Sequence, residues 1–95
     1  MDTSWMERTT LLVGQKGLEK LNNAHVLVVG LGGVGSYAAE AIGRSGVGKM
    51  TIIDGDTVDP TNRNRQLQAL STTHGQNKAY LMGERLKLIN PDMVL

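Results

Sequence analysis

The sequence predicts an α/β fold built on a parallel sheet, and three observations carry this prediction. An apolar run at residues 26–29 shows no polar alternation, which is typical of a parallel strand covered on both faces. A glycine-rich turn at residues 30–35 follows directly. A second apolar run at residues 50–53 ends at Asp54. Strand, turn, helix and strand in this order predict a mononucleotide-binding βαβ unit, and hence a Rossmann-like sheet with the first strand at its centre.

The glycines of the turn have separate physical tasks. Gly30 is expected where the backbone turns tightly, and Gly35 where the helix packs on the strand. Gly32, with Gly33 beside it, would let a phosphate approach the backbone. The following helix, predicted over residues 35–44, would point its positive end at that phosphate. An ordinary strand-to-helix turn is the structural alternative, and the order of the surrounding elements disfavours it.

The second strand carries acidic side chains to the same end of the sheet. Asp54 lies 19 residues after the last glycine of the turn, close to the roughly 20 at which an acidic group binds a ribose hydroxyl. Asp56 follows it in a polar loop, residues 55–66, and open α/β sheets bind ligands at this position. Because arginine and asparagine donate to phosphate oxygens, we predict that the arginines and asparagines of this loop contribute to the same nucleotide site.

The segments outside this unit are predicted to be helical. Leucines recur near helix spacing between residues 5 and 21, but Gly14 interrupts them, which favours two short helices joined there. A short helical turn is predicted over residues 66–70, and a longer amphipathic helix over residues 76–90. The stripe of this helix that faces the sheet consists of Ala79, Met82, Leu86 and Ile89.

Lys78 lies near the start of that last helix, where the helix dipole disfavours a cation. A bound anion would offset this cost, so we predict Lys78 in the nucleotide site; a solvated surface lysine is the alternative. His25 and His74 belong to no ligand pattern and are expected to be structural or surface residues. No metal site is predicted from these residues.

Length and composition bound the remaining possibilities. With 95 residues, three aromatic side chains and no phenylalanine, the core must be aliphatic. Only two complete strands are visible, and residues 91–95 read as the opening of a third. We therefore expect an N-terminal helical segment at residues 1–24, followed at 25–95 by the N-terminal part of a larger, truncated nucleotide-binding domain. Such a piece should expose a sheet edge and apolar surface.

Charge and cysteine content exclude several classes of function. A formal net charge of +1 gives no electrostatic reason to expect a polyanion-binding tail or a membrane surface. Without cysteine these residues offer neither a disulfide framework, a thiolate zinc site nor a catalytic thiol. The first residues lack the charged start and apolar run of a signal peptide, so the cytoplasm is the expected location.

Four motifs accompany the glycine turn: Asp54-x-Asp56, Asn62-x-x-Arg65-Gln66, Lys78 and Ile89-Asn90-Pro91. As a set they resemble the ThiF/MoeB/HesA superfamily, adenylating relatives of ubiquitin-activating enzymes. Within it the chain is most similar to the bacterial tRNA threonylcarbamoyladenosine dehydratases, through residues 8–14, 32–37 and 64–67.

The resemblance implies an ATP-dependent enzyme in which a substrate carboxylate attacks the α-phosphate and pyrophosphate leaves. The glycine turn would approach the phosphates, Asp54 would hold the ribose, and Asn62, Arg65 and Lys78 would contact the triphosphate, the last two as catalytic groups. Arg8 would correspond to an arginine that one subunit of a homodimer supplies to the other. The substrate would be tRNA, and the aspartate that acts around magnesium would lie beyond residue 95, so these residues alone should not complete catalysis.

Three alternatives stay open. Ubiquitin-like or sulfur-carrier proteins could be the substrate in place of tRNA, with a sulfur donor as a further partner. A nicotinamide-dependent dehydrogenase shares the strand, the glycine turn and the acid, but it does not call for Asn62, Arg65 and Lys78 at a terminal phosphate. A non-catalytic partner subunit would retain the fold while losing Arg65 or Lys78, and both are present.

Overall fold

The computed structural model describes residues 3–95 and has the predicted α/β architecture. Within these residues a parallel sheet of two strands packs with helices. The helices are α1 (Glu7–Asn22), α2 (Gly33–Arg44) and α3 (Lys78–Ile89), the strands are β1 (His25–Val29) and β2 (Lys49–Ile53), and two 3₁₀ helices span Ser4–Met6 and Pro60–Asn64.

The two strands pair in parallel, with His25 opposite Lys49 and Val29 opposite Ile53. On the other side of β2, Val94 forms a single parallel bridge to Lys49. Its carbonyl oxygen accepts from the backbone nitrogen of Met50 at 2.9 Å. The expectation that the last residues open a third strand is consistent with this bridge and stays a prediction, since β1 and β2 are the only strands within residues 3–95.

One face of β1 is covered and the other is open. Val28 is 9% exposed, whereas Leu27 and Val29 are 57% and 71% exposed. The prediction that both faces of β1 are covered is therefore wrong within these residues. The prediction that β1 is central is also wrong there, because the strand has β2 as its single neighbour. The predicted exposure of a sheet edge and apolar surface is confirmed. The buried core cluster comprises Val28, Leu31, Ala39, Val47, Met50, Met82, Leu86 and Met93.

Gly14 divides α1 into two helical halves, as the sequence predicts. Its φ of 75° and ψ of 172° are not helical, and glycine adopts them at no steric cost. Leu18, in the second half, is buried, whereas Leu11 and Leu12 in the first half are 84% and 86% exposed. The second half therefore contributes to the packed interior and the leading half does not.

Helix α3 begins and ends close to its predicted bounds, because asparagines cap both of its ends. The side-chain oxygen of Asn77 accepts from the backbone nitrogen of Tyr80 at 2.9 Å, an N-cap that starts the helix two residues later than predicted. Asn90 follows the last turn, and its amide donates to the Val47 carbonyl at 3.0 Å. The predicted stripe faces inward: Met82 and Leu86 are fully buried and Ala79 and Ile89 are half-buried.

The short helical turn predicted over residues 66–70 is present only as a single turn, and a 3₁₀ helix that the sequence analysis did not predict precedes it. That stretch contains a single turn closed by the Ala69 backbone nitrogen and the Gln66 carbonyl, whereas the helical segment is Pro60–Asn64. The cause is local, because Asp59 accepts from the backbone nitrogen of Thr61 at 2.9 Å and Pro60 presets the first helical position.

Candidate functional site

The glycine turn brings the start of α2 against the end of β1. Gly30 has a φ of 87°, and its backbone nitrogen donates to the Ile53 carbonyl at 2.8 Å. A Cβ placed on Gly35 would lie 1.7 Å from the carbonyl oxygen of Gly30, so only glycine permits this approach. The N–H groups of the first turn of α2 have no acceptors within the helix and lie at its positive end. This arrangement suits an anion.

Asp54 fastens the turn to the end of β2. One carboxylate oxygen accepts from the backbone nitrogen of Leu31 at 2.7 Å, and the other accepts from that of Asp56 at 2.8 Å. Each oxygen retains a second lone pair, so the carboxylate can also accept from a sugar hydroxyl. The ribose contact stays a prediction, and the bracing of the turn is a second role that the sequence did not indicate.

The segment that follows the second 3₁₀ helix lies on top of the glycine turn. A Cβ placed on Gly33 would lie 3.4 Å from both Cγ and Cδ of Arg65, and one on Gly32 would lie 3.7 Å from Nε2 of Gln66. Two consecutive side chains therefore cover two consecutive glycines. This confines a ligand at the start of α2 between the helix and these side chains.

Two further contacts hold this segment in place. The side-chain amide of Gln68 donates to the buried carbonyl of Leu31 at 2.8 Å, and the backbone nitrogen of Leu67 donates to the hydroxyl of Ser36 at 3.4 Å. Sequence reasoning did not single out Gln68, because residues 65–68 show no periodicity from which an inward side chain could be read.

The guanidinium of Arg65 is exposed and keeps donors for a ligand. Its Nη1 donates to the Thr61 carbonyl at 3.1 Å and to the side-chain oxygen of Asn64 at 2.9 Å. Both contacts are local, and they leave other N–H groups of the five that arginine carries. The predicted residue thus lies beside the glycine turn, with donors available for phosphate oxygens.

Lys78 is the first residue of α3 and is 8% exposed. Its backbone nitrogen donates to the Asp56 carbonyl at 3.0 Å, which places the start of α3 beside the loop that leaves β2. None of the residues 3–95 forms a hydrogen bond or ion pair with its ammonium. The lysine is therefore buried at the positive end of a helix dipole, and its ammonium makes no hydrogen bond or ion pair within residues 3–95, a position that suits an anion-binding role.

The charge of Lys78 is felt at the neighbouring loop. The pKa of Asp59 lies below its usual value, chiefly because the backbone N–H of Thr61 donates to its carboxylate. The side chain of Thr61 and the positive charges of His74 and Lys78 act in the same direction. Asp59 thus starts the 3₁₀ helix as an ionised cap.

Asn62 is 8% exposed, and its side-chain oxygen accepts from the Asp59 backbone nitrogen at 2.8 Å. This contact completes a capping box, a structural task that the sequence analysis did not assign. The amide nitrogen of Asn62 makes no hydrogen bond with another described residue, so the predicted phosphate contact remains open to it.

The structure does not bring Arg8 into the site. Its side chain is exposed on the leading half of α1 and forms no hydrogen bond or ion pair with any other residue that the structure describes. The Asp56 carboxylate is likewise exposed. Within residues 3–95 no group of three histidine or carboxylate side chains could hold a metal ion, and no helix is long and apolar enough to cross a bilayer.

The sequence profile of the ThiF family matches residues 6–95. The chain belongs to the ThiF family. A curated relative, the tRNA threonylcarbamoyladenosine dehydratase of Bacillus subtilis (strain 168), is 55% identical over 85 residues, which make up 90% of this chain and 34% of the relative. The molybdopterin-synthase adenylyltransferase of Salmonella typhimurium (strain LT2) is 41% identical over 80 residues, 84% of this chain and 32% of that protein.

Solved structures agree with the ThiF assignment. The crystal structure of E. coli tRNA N6-threonylcarbamoyladenosine dehydratase in complex with ATP superposes with a TM-score of 0.94 at 47% identity, covering 97% of this chain and 38% of that one. This confirms the predicted Rossmann-like fold and the predicted superfamily. The chain spans about a third of the length of the curated relatives it matches.

Proposed function

We propose that the protein uses ATP to adenylate the carboxylate of a threonylcarbamoyl group on tRNA, which leads to ring closure. A carboxylate oxygen attacks the α-phosphorus, the bond to pyrophosphate breaks, and an acyl-adenylate forms. An atom of the same threonylcarbamoyl group then displaces AMP and closes the ring. The packing of the Arg65 side chain over Gly33, at the start of α2, is the observation that supports the proposal, because its guanidinium keeps donors that could reach a phosphate bound at this turn.

Some of the site residues bind the phosphates of ATP, and others stabilise the charge that develops during the reaction. The first-turn N–H groups of α2 and the guanidinium of Arg65 donate to phosphate oxygens. Lys78 and the amide of Asn62 stabilise the charge that moves onto pyrophosphate. Asp54 accepts from the ribose while bracing the turn. Activation is needed because a carboxylate has a poor leaving group, whereas AMP leaves readily.

Magnesium would neutralise phosphate charge when it is bound. Magnesium usually binds through one or two carboxylates and the substrate phosphates. The exposed Asp56 carboxylate fits as one ligand, and since no cluster of three ligands exists within residues 3–95, we propose that another carboxylate comes from outside them.

We further propose a homodimer in which Arg8 of one subunit serves the site of the other. The support is its exposed position, without a partner in the described part of the chain, beside Leu11 and Leu12 on the leading half of α1. A tRNA substrate would place this reaction in the cytoplasm. The division into residues 1–24 and 25–95 also remains a proposal.

The test is ATP–pyrophosphate exchange by the full-length protein. Exchange should be stimulated by tRNA that carries the threonylcarbamoyl group and not by the same tRNA without it. A second candidate substrate, a ubiquitin-like or sulfur-carrier protein working with a sulfur donor, is favoured by the 41% identity to the molybdopterin-synthase adenylyltransferase. Exchange that only a carrier protein stimulates would replace the tRNA assignment.

A further inference from the structure

Gln66 is a buried side-chain amide that forms no hydrogen bond among residues 3–95. The residue is 6% exposed, and its side-chain oxygen is buried without a hydrogen bond. Its amide nitrogen also makes no hydrogen bond with any residue in the described range. Because buried polar groups are nearly always satisfied, such a side chain requires an explanation.

The location of the amide supplies that explanation. Nε2 lies 3.7 Å from the position a Cβ would take on Gly32, the residue that caps α2. An anion held by the first turn of the helix would therefore lie within reach of a neutral donor as well as of Arg65. The guanidinium of Arg65 is exposed and would attract the anion by its charge. The amide of Gln66 is buried and neutral, and would orient the anion through a directed hydrogen bond.

Gln68 provides the internal comparison. It is 4% exposed, and its side-chain oxygen is also buried without a partner, but its nitrogen donates to the Leu31 carbonyl. The amide nitrogen of Gln68 thus has a structural role. Gln66 has none within the described chain, and its amide faces the glycine turn.

We propose that Gln66 is a nucleotide-contacting residue, whose amide nitrogen donates to a phosphate oxygen of ATP seated at Gly32. This inference rests on the proposed function and adds a residue to the same site. Binding thereby gives the amide nitrogen an acceptor that residues 3–95 do not supply.

The test compares the full-length wild type with Gln66→Met and Gln68→Met, since methionine keeps the length of the side chain and removes its hydrogen bonds. For Gln66→Met we expect an unchanged or higher Tm without nucleotide, a smaller ATP-induced rise in Tm, and a KM for ATP about tenfold higher, the loss that one hydrogen bond to a charged group predicts. Gln68→Met should instead lower the Tm without nucleotide.

The outcomes separate this inference from the proposed function. A wild type that ATP does not stabilise would overturn both. A normal wild-type response with an equal ATP-induced shift and KM in Gln66→Met would overturn the role of Gln66 alone, as would a variant that only lowers the Tm. If Gln66→Met fails to fold, Gln66→Leu, which is shorter, uncharged and also lacks the donor, should fold and show the same weaker response to ATP; failure of both to fold would assign Gln66 a purely structural role.

Discussion

The side chain of Arg65 packs against Gly33: a Cβ built on this glycine would be 3.4 Å from both Cγ and Cδ of Arg65. This separation is an ordinary van der Waals contact, whereas a Cβ on Gly35 would meet the Gly30 carbonyl oxygen at 1.7 Å. Two glycines of one turn are therefore required for different reasons. Gly35 is needed for the fold itself, and Gly33 leaves the space that a phosphate would use.

Gly35→Ala should destabilise the protein by about 3 kcal/mol or more, because the carbonyl of Gly30 is backbone and α2 must move away from β1. Urea unfolding of the full-length protein would measure this loss. Retention of the wild-type midpoint would show that the helix can shift without cost and would contradict the close approach.

Gly33→Ala is the matched counterpart. It should leave the free energy of unfolding within about 1 kcal/mol of the wild type, since alanine is favoured over glycine in a helix and Arg65 only needs to remain in contact. ATP binding, measured by calorimetry, should weaken at least about tenfold because the methyl group occupies the approach of the phosphate. Equal affinity would remove Gly33 from the phosphate site.

Lys78→Ala should abolish adenylation without unfolding the protein. The ammonium makes no hydrogen bond or ion pair within residues 3–95, so its removal breaks no such contact in the fold, whereas the loss of one group that stabilises transition-state charge typically lowers kcat about 10²- to 10³-fold. ATP–pyrophosphate exchange and the Tm would be measured together. Unaltered exchange would exclude Lys78 from the site.

Lys87→Ala serves as the control for this variant. Its ammonium donates to the carbonyls of Pro91 and Met93, the latter at 2.8 Å, just after the end of α3. We expect a lower Tm and an unchanged kcat, the reverse of the pattern at Lys78. A similar loss of exchange in both variants would indicate a general effect of removing positive charge.

Glu40 links α2 to α3 and should make stability depend on pH. Arg85 donates to its carboxylate and Arg44 lies 3.5 Å from it, and the hydrogen bond from Arg85 is the main reason that the pKa of Glu40 is below its usual value. A carboxylate whose pKa is lowered by folding adds stability above its unfolded pKa, and this contribution is lost as the pH falls through the folded pKa.

Glu40→Gln should therefore lower the free energy of unfolding at pH 7 by about 1 kcal/mol or less, because the arginines are partly exposed and screened by solvent. The difference from the wild type should vanish in acid, below the lowered pKa. Raising the salt concentration should shrink the difference at pH 7, because both ion pairs are partly exposed. An offset that persists in acid would exclude the ion pair as its cause.

Local pattern was sufficient to predict much of this fold. The apolar runs, the glycine turn and the stripe of α3 depend on spacing along the chain, and the structure shows each of them close to its predicted bounds. The 3₁₀ helix at Pro60–Asn64 is not among the predicted elements, because the sequence analysis gives Asn62 a ligand-binding role only, while its side chain and that of Asp59 cap this helix.

The candidate site was predictable in its residues more than in their contacts. Lys78 could be chosen from its charge and position and Arg65 through the resemblance to the superfamily, but the contact of Asp54 with Leu31 joins segments 23 residues apart. The inward orientation of Gln66 and Gln68 depends on how an irregular segment crosses the glycine turn. Such contacts depend on how distant segments meet in the folded protein, and no periodic pattern in the sequence predicts them.

The backbone of Gly14, with its φ of 75° and ψ of 172°, occupies a region open almost only to glycine. The direction in which the leading turns of α1 project, and with them Arg8, is therefore set at one position. A side chain at residue 14 would have room, since no atom lies within 4 Å, but the backbone would have to rotate to accept it. An alanine at residue 14 would favour helical φ and ψ, so that the two halves of α1 would form one straight helix and Arg8 would take a different position.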